Sequence, residues 1–347
     1  MPWPEVLAEA QRLHLAFLFH LGLHVSATLR AVVPHSVAEA LNHSARVAAA
    51  RTVQLEQACA AATAAASSAG IPVLILKGLA LGALVYPPAV TRPMADMDLL
   101  VTQGNRGRLT EVLHSLGYRN DLRGKEDFYP PNAAYSIDVQ TGLLNTTRVP
   151  ARGTLWPASF DELWARGQAF MLAGIPVRTL GPEDTVAHLA VHAVHHHGLT
   201  GALWKADLLA CLKRWPDALD KSESLPPAVR RSLWYCLEVL SACGQDPVPE
   251  IRAALRPSRL FPGEVRVLTA RTTAEIPQEI RYVLTLICLP GWKSKAAFLR
   301  QILFPQASAF TDGFEDAGRT CPRLGQHWRV LRRLWPRQLM NPFAGQP

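Results

Sequence analysis

The spacing of apolar positions changes period twice along the 347-residue chain. Residues 4–31 set Leu7, Leu13, Phe17, Leu21 and Val25 along one face, the 3.6-residue period of a helix, with His14 and Phe17 read as core. Ser36 reads as the N-cap of a long helix that runs to about residue 68, where Gly70 ends it. The run "VLIL", residues 73–76, then breaks the helical period. It is short and continuously apolar, as a buried strand is. Lys77 and Gly78 follow at once, and "LALGALVY" reads as a short helix stopped by Pro87 and Pro88. Residues 89–95 form a loop that contains Arg92, and "DMDLLV" is a second strand. Residues 105–116 are an amphipathic helix with Gly117 as its C-terminal stop. Tyr118 and Arg119 begin a further strand, and residues 133–144, "AAYSIDVQTGLL", read as another with Asp138 near its middle.

From about residue 155 the period is helical again. Ser159 with Glu162 three residues later is a capping box for the segment "SFDELWARGQAFML". A helix begins near Pro182 and is closed by Gly198, and further helices are expected at 203–214, 228–243, 249–255 and 263–274. The organisation is therefore helical region 1–70, mixed core 71–155 and helical domain 156–347. A tail carrying Trp328, Arg329, Arg332, Arg333, Trp335 and Arg337 is basic and amphipathic. It reads as a solvated face, or else as a surface for RNA or a leader peptide.

Composition narrows the class. With 49% hydrophobic and 18% charged residues the chain suits a globular protein with a sizeable core. Lys and Arg total 36 against 28 acidic residues, a net charge of +8. That balance favours a polyanionic partner such as a nucleotide, RNA or an acidic peptide, the alternative being an ordinary basic surface. Cys59, Cys211, Cys236, Cys243, Cys288 and Cys321 form no C-x-x-C pair and lie in apolar segments, so they read as reduced core residues of a cytoplasmic protein. No secretory signal is expected, because Met1 is followed by Pro-Trp-Pro-Glu. Residues 15–25, interrupted by His20 and His24, are too short and too polar to span a bilayer.

The chemistry centres on three aspartates. In a strand residues i and i+2 share a face, so Asp96 and Asp98 present both carboxylates to one side while Met97 points into a core. Two carboxylates so placed repel, and a hard cation such as Mg²⁺ removes the repulsion while accepting substrate phosphates as further ligands. Asp138, in an otherwise apolar run, needs a partner too. If its strand lies beside the one carrying Asp96 and Asp98, all three converge. Lys77 and Gly78 sit where a strand turns into a helix, a place that suits phosphate. Arg92, in a Pro-flanked loop, offers a planar fork for the same purpose.

The order "LILKGLAL", "TRPMADMDLLV", "YSIDVQ" resembles the nucleotidyltransferase superfamily, in particular its bacterial branch of uncharacterised nucleotidyltransferases. The match covers about residues 71–144 and continues more loosely through "LGPEDTVAHLAVHAVHHHG", "LWKADLLACL" and "ILFPQASAF". The resemblance implies an α+β fold with a small mixed β-sheet flanked by helices. It implies that Asp96, Asp98 and Asp138 are catalytic and hold two Mg²⁺ ions, with Mn²⁺ as a substitute. By the same resemblance Lys77, Gly78, Arg92, His192, His196 and Asp207 bind nucleotide or phosphate. The chain departs from the branch at Gln140, where relatives commonly show His two residues beyond the third Asp.

His188, His192, His195 and His196 share one helical face with Asp184, and His192 and His196 have the spacing of a Zn pair. No third ligand is evident, so they read as histidines packed between helices, bonded to backbone or to Asp207, or lining a nucleotide cleft. The expected reaction is transfer of NMP from an NTP to an acceptor hydroxyl on a peptide, small natural product, protein or tRNA, with no membrane partner. The alternative is a nucleotide- or RNA-binding protein on the same fold without turnover. A kinase-like phosphotransferase is disfavoured, since the phosphate-loop and kinase signatures are missing.

Overall fold

The computed structural model describes residues 2–12, 15–86, 91–94, 96–120, 127–130, 135–144, 146, 149–261, 264, 268 and 280–303. The chain divides into two compact units. The first comprises residues 1–145, 157–190 and 201–224, and the second 146–156, 191–200 and 225–347.

The first unit opens with α1 (Trp3–Arg12), α2 (Ala16–Val25), α3 (Ala27–Val32) and the 34-residue α4 (His35–Ser68). One helix was expected over 4–31, and three are found. The break at Ser26 has a local cause: its backbone is extended, and its hydroxyl accepts a bond from the Leu29 amide, capping α3. Val25 is consequently 85% exposed and extends no apolar face. Pro34, not Ser36, precedes α4.

The sheet of this unit is mixed and, among the described residues, seven-stranded. Its members are β1 (Leu74–Leu76), β2 (Asp96–Leu100), β3 (Arg119–Asn120), β4 (Asp127–Tyr129), β5 (Ser136–Gln140), β6 (Gln168–Leu172) and β7 (Ile175–Thr179), in the order β3-β4-β5-β2-β1-β7-β6. β2 runs antiparallel to β1 and parallel to β5. Alternation splits the residues between two faces. Ile75, Met97, Leu99, Ile137 and Val139 enter a core with Leu55, Cys59, Ala62 and Ala66 of α4 and with Leu109 and Leu113 of α6 (Arg106–Ser115). The small side chains of α4 let the helix approach the sheet closely. Asp96, Asp98, Ser136, Asp138 and Gln140 alternate with that core set.

The segment expected to be one helix from residue 159 is a helix followed by a hairpin. α7 (Phe160–Arg166) carries the expected capping box between Ser159 and Glu162. It stops at Gly167, where a Cβ would lie 2.7 Å from the Thr179 carbonyl oxygen, so β7 passes too close for any side chain. β6 and β7 then pair across Ala173 and Gly174, both at positive φ (45° and 82°), the backbone of a two-residue hairpin turn. α5 (Gly78–Leu84), α8 (Pro182–His195) and α9 (Leu203–Arg214) fall close to their expected places.

The second unit takes in the last turn of α8, a 3₁₀ segment (Pro150–Leu155), α10 (Pro227–Ala242), α11 (Pro249–Ala254), α12 (Ile280–Cys288) and α13 (Gly291–Leu303). Trp234, Tyr235 and Phe298 are fully buried. Glu264, also buried, takes two guanidinium nitrogens of Arg231 and the Tyr235 hydroxyl. Most of the helix expected at 263–274 lies outside the described residues, as do Pro87, Pro88, His14, Cys321, residues 304–310 and the basic tail. Cys59, Cys211, Cys236 and Cys288 are buried thiols, and Cys243 is an exposed one. Among the described residues no helix is long and apolar enough to cross a membrane.

His195 is a polar pin within this unit. Its Nδ1 lies 2.9 Å from the Thr285 hydroxyl and its Nε2 2.9 Å from the Ser232 hydroxyl. Burial, and then the charge of Arg152, push it down to about 3. It is thus neutral when folded but protonates below its ordinary value of 6.5 when unfolded, so the unfolded chain binds more protons. Stability is therefore full above about pH 6.5 and falls as pH drops toward 3, by up to about 1 kcal/mol per pH unit. Urea midpoints at pH 7.5, 6 and 5 should decline, and His195→Gln should flatten the decline; an equal slope in the variant would refute the assignment.

Candidate active site

Register decides what the aspartates do. β2 and β5 pair in parallel with Asp98 opposite Asp138 and Asp96 opposite Ser136, while Leu76 of β1 lies opposite Asp98 on the other side. Two carboxylates therefore meet across neighbouring strands, on the side chains that alternate with the core. Two neighbours offset their repulsion. The Lys77 ammonium lies 2.9 Å from Asp98 Oδ1. The Gln140 side-chain amide donates to Asp98 Oδ1 and to Asp138 Oδ2, both at 2.7 Å. Gln140 reaches both because it stands two residues beyond Asp138, on the same face.

Desolvation and like charge still leave their mark. Burial, then Asp98, raise Asp138 to about 7, against the opposing pull of Gln140 and Lys77. Asp96 begins β2 at the surface, yet surrounding atoms desolvate its carboxyl, which is shifted upward by that and then by Asp98. His188 of α8 is buried, its Nε2 3.0 Å from the Leu143 carbonyl oxygen. Burial and then the Lys77 charge hold it down at about 3, with Asp98 pulling the other way.

Lys77 reaches Asp98 from an unusual backbone. Its φ of 48° with ψ of −118° is a conformation that L residues avoid and glycine adopts freely. The next residue, Gly78, begins α5. A Cβ there would come 3.1 Å from Arg92 Nη1 and 3.4 Å from the Met94 side chain, so glycine makes room for Arg92.

Arg92 is itself buried and strongly paired. Its Nε and Nη2 donate to the two carboxylate oxygens of Asp207 in α9 at 2.9 and 2.8 Å, and the Tyr86 hydroxyl donates to Asp207 at 3.1 Å. The fork expected for phosphate is thus turned toward Asp207, leaving Nη1 beside Gly78. Asp207 accepts from Arg92 and Tyr86.

The expected residues sort into groups. Lys77 bonds Asp98 directly and Gln140 bridges Asp98 to Asp138; the charge of Asp98 acts on Asp96; Arg92 and Asp207 form their own buried pair. His192 and His196 belong to the second unit, where their rings stack with centroids 4.6 Å apart and His197 sits edge-on to both. Asp184 pairs with Arg166. Among the described residues no three His, Cys, Asp or Glu are gathered as a metal centre would need. Tyr86 and Gln140 were not expected at the site, whereas His188 was read with the other α8 histidines as packed between helices or lining a nucleotide cleft. Of the first two only Gln140 carried a signal, its i+2 spacing from Asp138.

The Arg92–Asp207 pair makes a direct prediction. Asp207→Asn leaves a buried guanidinium uncompensated and should cost about 3–5 kcal/mol, as should Arg92→Met, whereas the double substitution should cost less than the sum. Urea denaturation of the four proteins measures the coupling; additive losses would show that the pair is not a unit.

Among solved structures the chain is similar to a crystal structure of ANT(2")-Ia in complex with adenylyl-2"-tobramycin, at 20% identity and a TM-score of 0.37, over 51% of this chain and 98% of that one. It is also similar to a solution structure of the antibiotic-resistance factor ANT(2'')-Ia, at 19% identity and a TM-score of 0.36, over 49% and 90% of the two chains. No curated protein matches it. A family model, that of the uncharacterised nucleotidyltransferases, matches residues 1–243, more than half of the chain. The chain belongs to the uncharacterised nucleotidyltransferase family and is a transferase enzyme.

Proposed function

We propose that the chain transfers NMP from an NTP to an acceptor hydroxyl with the help of Mg²⁺, using Asp96, Asp98 and Asp138. The observation that carries this reading is the register of β2 and β5, which sets Asp98 opposite Asp138. In the reaction the acceptor oxygen bonds to the α-phosphorus, the bond to pyrophosphate breaks and the hydroxyl proton passes to a base.

The residues fit a hard cation. The donor set is carboxylate oxygen, the kind of ligand a hard cation takes while keeping waters and accepting substrate phosphates. Asp98 and Asp138, with Asp96, would hold it, two ions being the fuller form of the proposal; bound there, it supplies charge that offsets the phosphates. Asp138 is also the proposed acceptor of the hydroxyl proton, a metal-bound water being the alternative. Lys77 adds positive charge beside Asp98 for the transferring group. Arg92, its plane fixed by Asp207, would offer Nη1 to a phosphate oxygen in exchange for the long bond it makes to the Pro93 carbonyl. His192 and His196 are proposed on the family resemblance alone. The acceptor is a peptide, small natural product, protein or tRNA, and the free thiols agree with a cytoplasmic setting.

Two measurements test this. Each of the four NTPs, radiolabelled at the α-phosphorus, is incubated with Mg²⁺ or Mn²⁺ and a lysate, and label is followed on protein, RNA and small molecules. Transfer is expected with wild type and lost in Asp96→Ala/Asp98→Ala. Metal-dependent nucleotide binding without transfer would favour a binding protein on the same fold, and no nucleotide binding would sink the site. Separately, Asp138 must lose its proton to ligate a metal, so Mn²⁺ affinity should fall as pH drops below about 7. The limit is about tenfold per pH unit, read by calorimetry without nucleotide; affinity constant between pH 6 and 8 would count against Asp138 as a ligand.

A further inference from the structure

Within the second unit one arginine stands apart. Arg152, in the 3₁₀ segment, is only 8% exposed, and its Nε is buried without a hydrogen-bond partner. Among the described residues its guanidinium makes no ion pair. Arg231 of the same unit shows the ordinary solution, a bidentate bond to the buried carboxylate of Glu264. Arg152 has instead a second arginine acting on it: burial, and then the charge of Arg281 on α12, lower it to about 10, with Tyr282 pulling the other way. Arg281 is held in place by its Nη1, which donates to the His196 carbonyl oxygen at 2.8 Å, and by its Nη2 at 3.2 Å from the Tyr282 hydroxyl. Its Nε is also buried and unpartnered. The 3₁₀ segment is anchored in turn, since the Ala151 amide donates to Gln301 of α13 at 3.1 Å.

Burying one unpaired cation is costly, and placing a second beside it is costlier. Two guanidinium forks with unused N–H donors and fixed supports make a receptor for a group with several anionic oxygens. A neutral ligand would not offset the repulsion. A carboxylate offsets one charge with two oxygens, whereas a phosphate bears up to two charges and enough oxygens to take donors from both forks.

We infer that Arg152 and Arg281 form a binding site for a phosphate-type oxyanion, separate in its residues from the aspartate site. The same chemistry serves inorganic phosphate, a phosphorylated acceptor or the polyphosphate of a nucleotide.

The test uses the full chain without metal. Thermal unfolding and calorimetry are run in sodium phosphate and in sodium chloride of equal ionic strength, on wild type, Arg152→Leu and Asp98→Asn. Phosphate should raise the melting temperature of wild type and of Asp98→Asn above the chloride value. In Arg152→Leu that rise should vanish and phosphate affinity should drop about tenfold or more, the loss of a charge-assisted contact. Without phosphate, Arg152→Leu should melt no lower than wild type, because it removes a buried unpaired charge. Arg152→Gln and Arg281→Met serve the same comparison if leucine is not tolerated. Titration with ATP then separates the sources. An ATP affinity that falls with Arg152→Leu points to polyphosphate, an unchanged one to a free or acceptor-borne phosphate, and either supports the site. Equal melting in phosphate and chloride, or a phosphate effect that survives the arginine substitutions, would overturn it. So would an Arg152→Leu protein that melts well below wild type in chloride, since Arg152 would then be paired within its own chain.

Discussion

The register between β2 and β5 governs what surrounds it. A slip of one residue would turn Asp98 and Asp138 into the core and expel Met97, Leu99, Ile137 and Val139 from it. The apolar face therefore fixes the polar one: packing against α4 and α6 holds the two carboxylates in opposition. Their repulsion is the consequence, and Lys77 and Gln140 are its local remedy. Burial, and then the charge of Asp98, still push Asp138 upward against both. Residual negative potential on a rigid sheet attracts cations without needing a closed cage of ligands.

Supports around this centre are drawn from distant parts of the chain. Asp207 lies 115 positions beyond Arg92, yet it fixes both the guanidinium plane and the Tyr86 hydroxyl. His188 comes from α8 and stays neutral, so it adds no charge beside Lys77. Arg92 in particular is a rigid element of the wall, oriented by a carboxylate and given room by Gly78. Rigidity of this kind lowers the reorganisation a site needs when charge develops in it.

What was legible in the sequence follows from the range of each interaction. β1, β2 and β5 were readable because short apolar runs flanked by turn residues have few alternatives. The capping box at Ser159 was readable for the same local reason. The β6–β7 hairpin was hidden because that cap invited a longer helix, and the clash that ends α7 at Gly167 comes from β7, which only the folded sheet brings near. The split at Ser26 was missed because the apolar spacing on either side of it continues a helical period. At the site, alternation placed Asp96 and Asp98 on one face, and the strand pairing supplied Asp138. The turning of Arg92 toward Asp207 depends on a contact no local pattern encodes, whereas the bridging by Gln140 was signalled only by its i+2 spacing from Asp138, in a position that looked like a departure from relatives.

The backbone of Lys77 carries one more implication. Glycine would sit there without backbone strain, but it would take away the ammonium and leave Asp98 without its buried cation. The position opposes foldability to charge placement. A chain that keeps lysine there holds a less comfortable backbone in exchange for a cation at the mouth of β2. The strand-to-helix turn is thus a point where the demands of folding and of chemistry can be told apart by a single side chain.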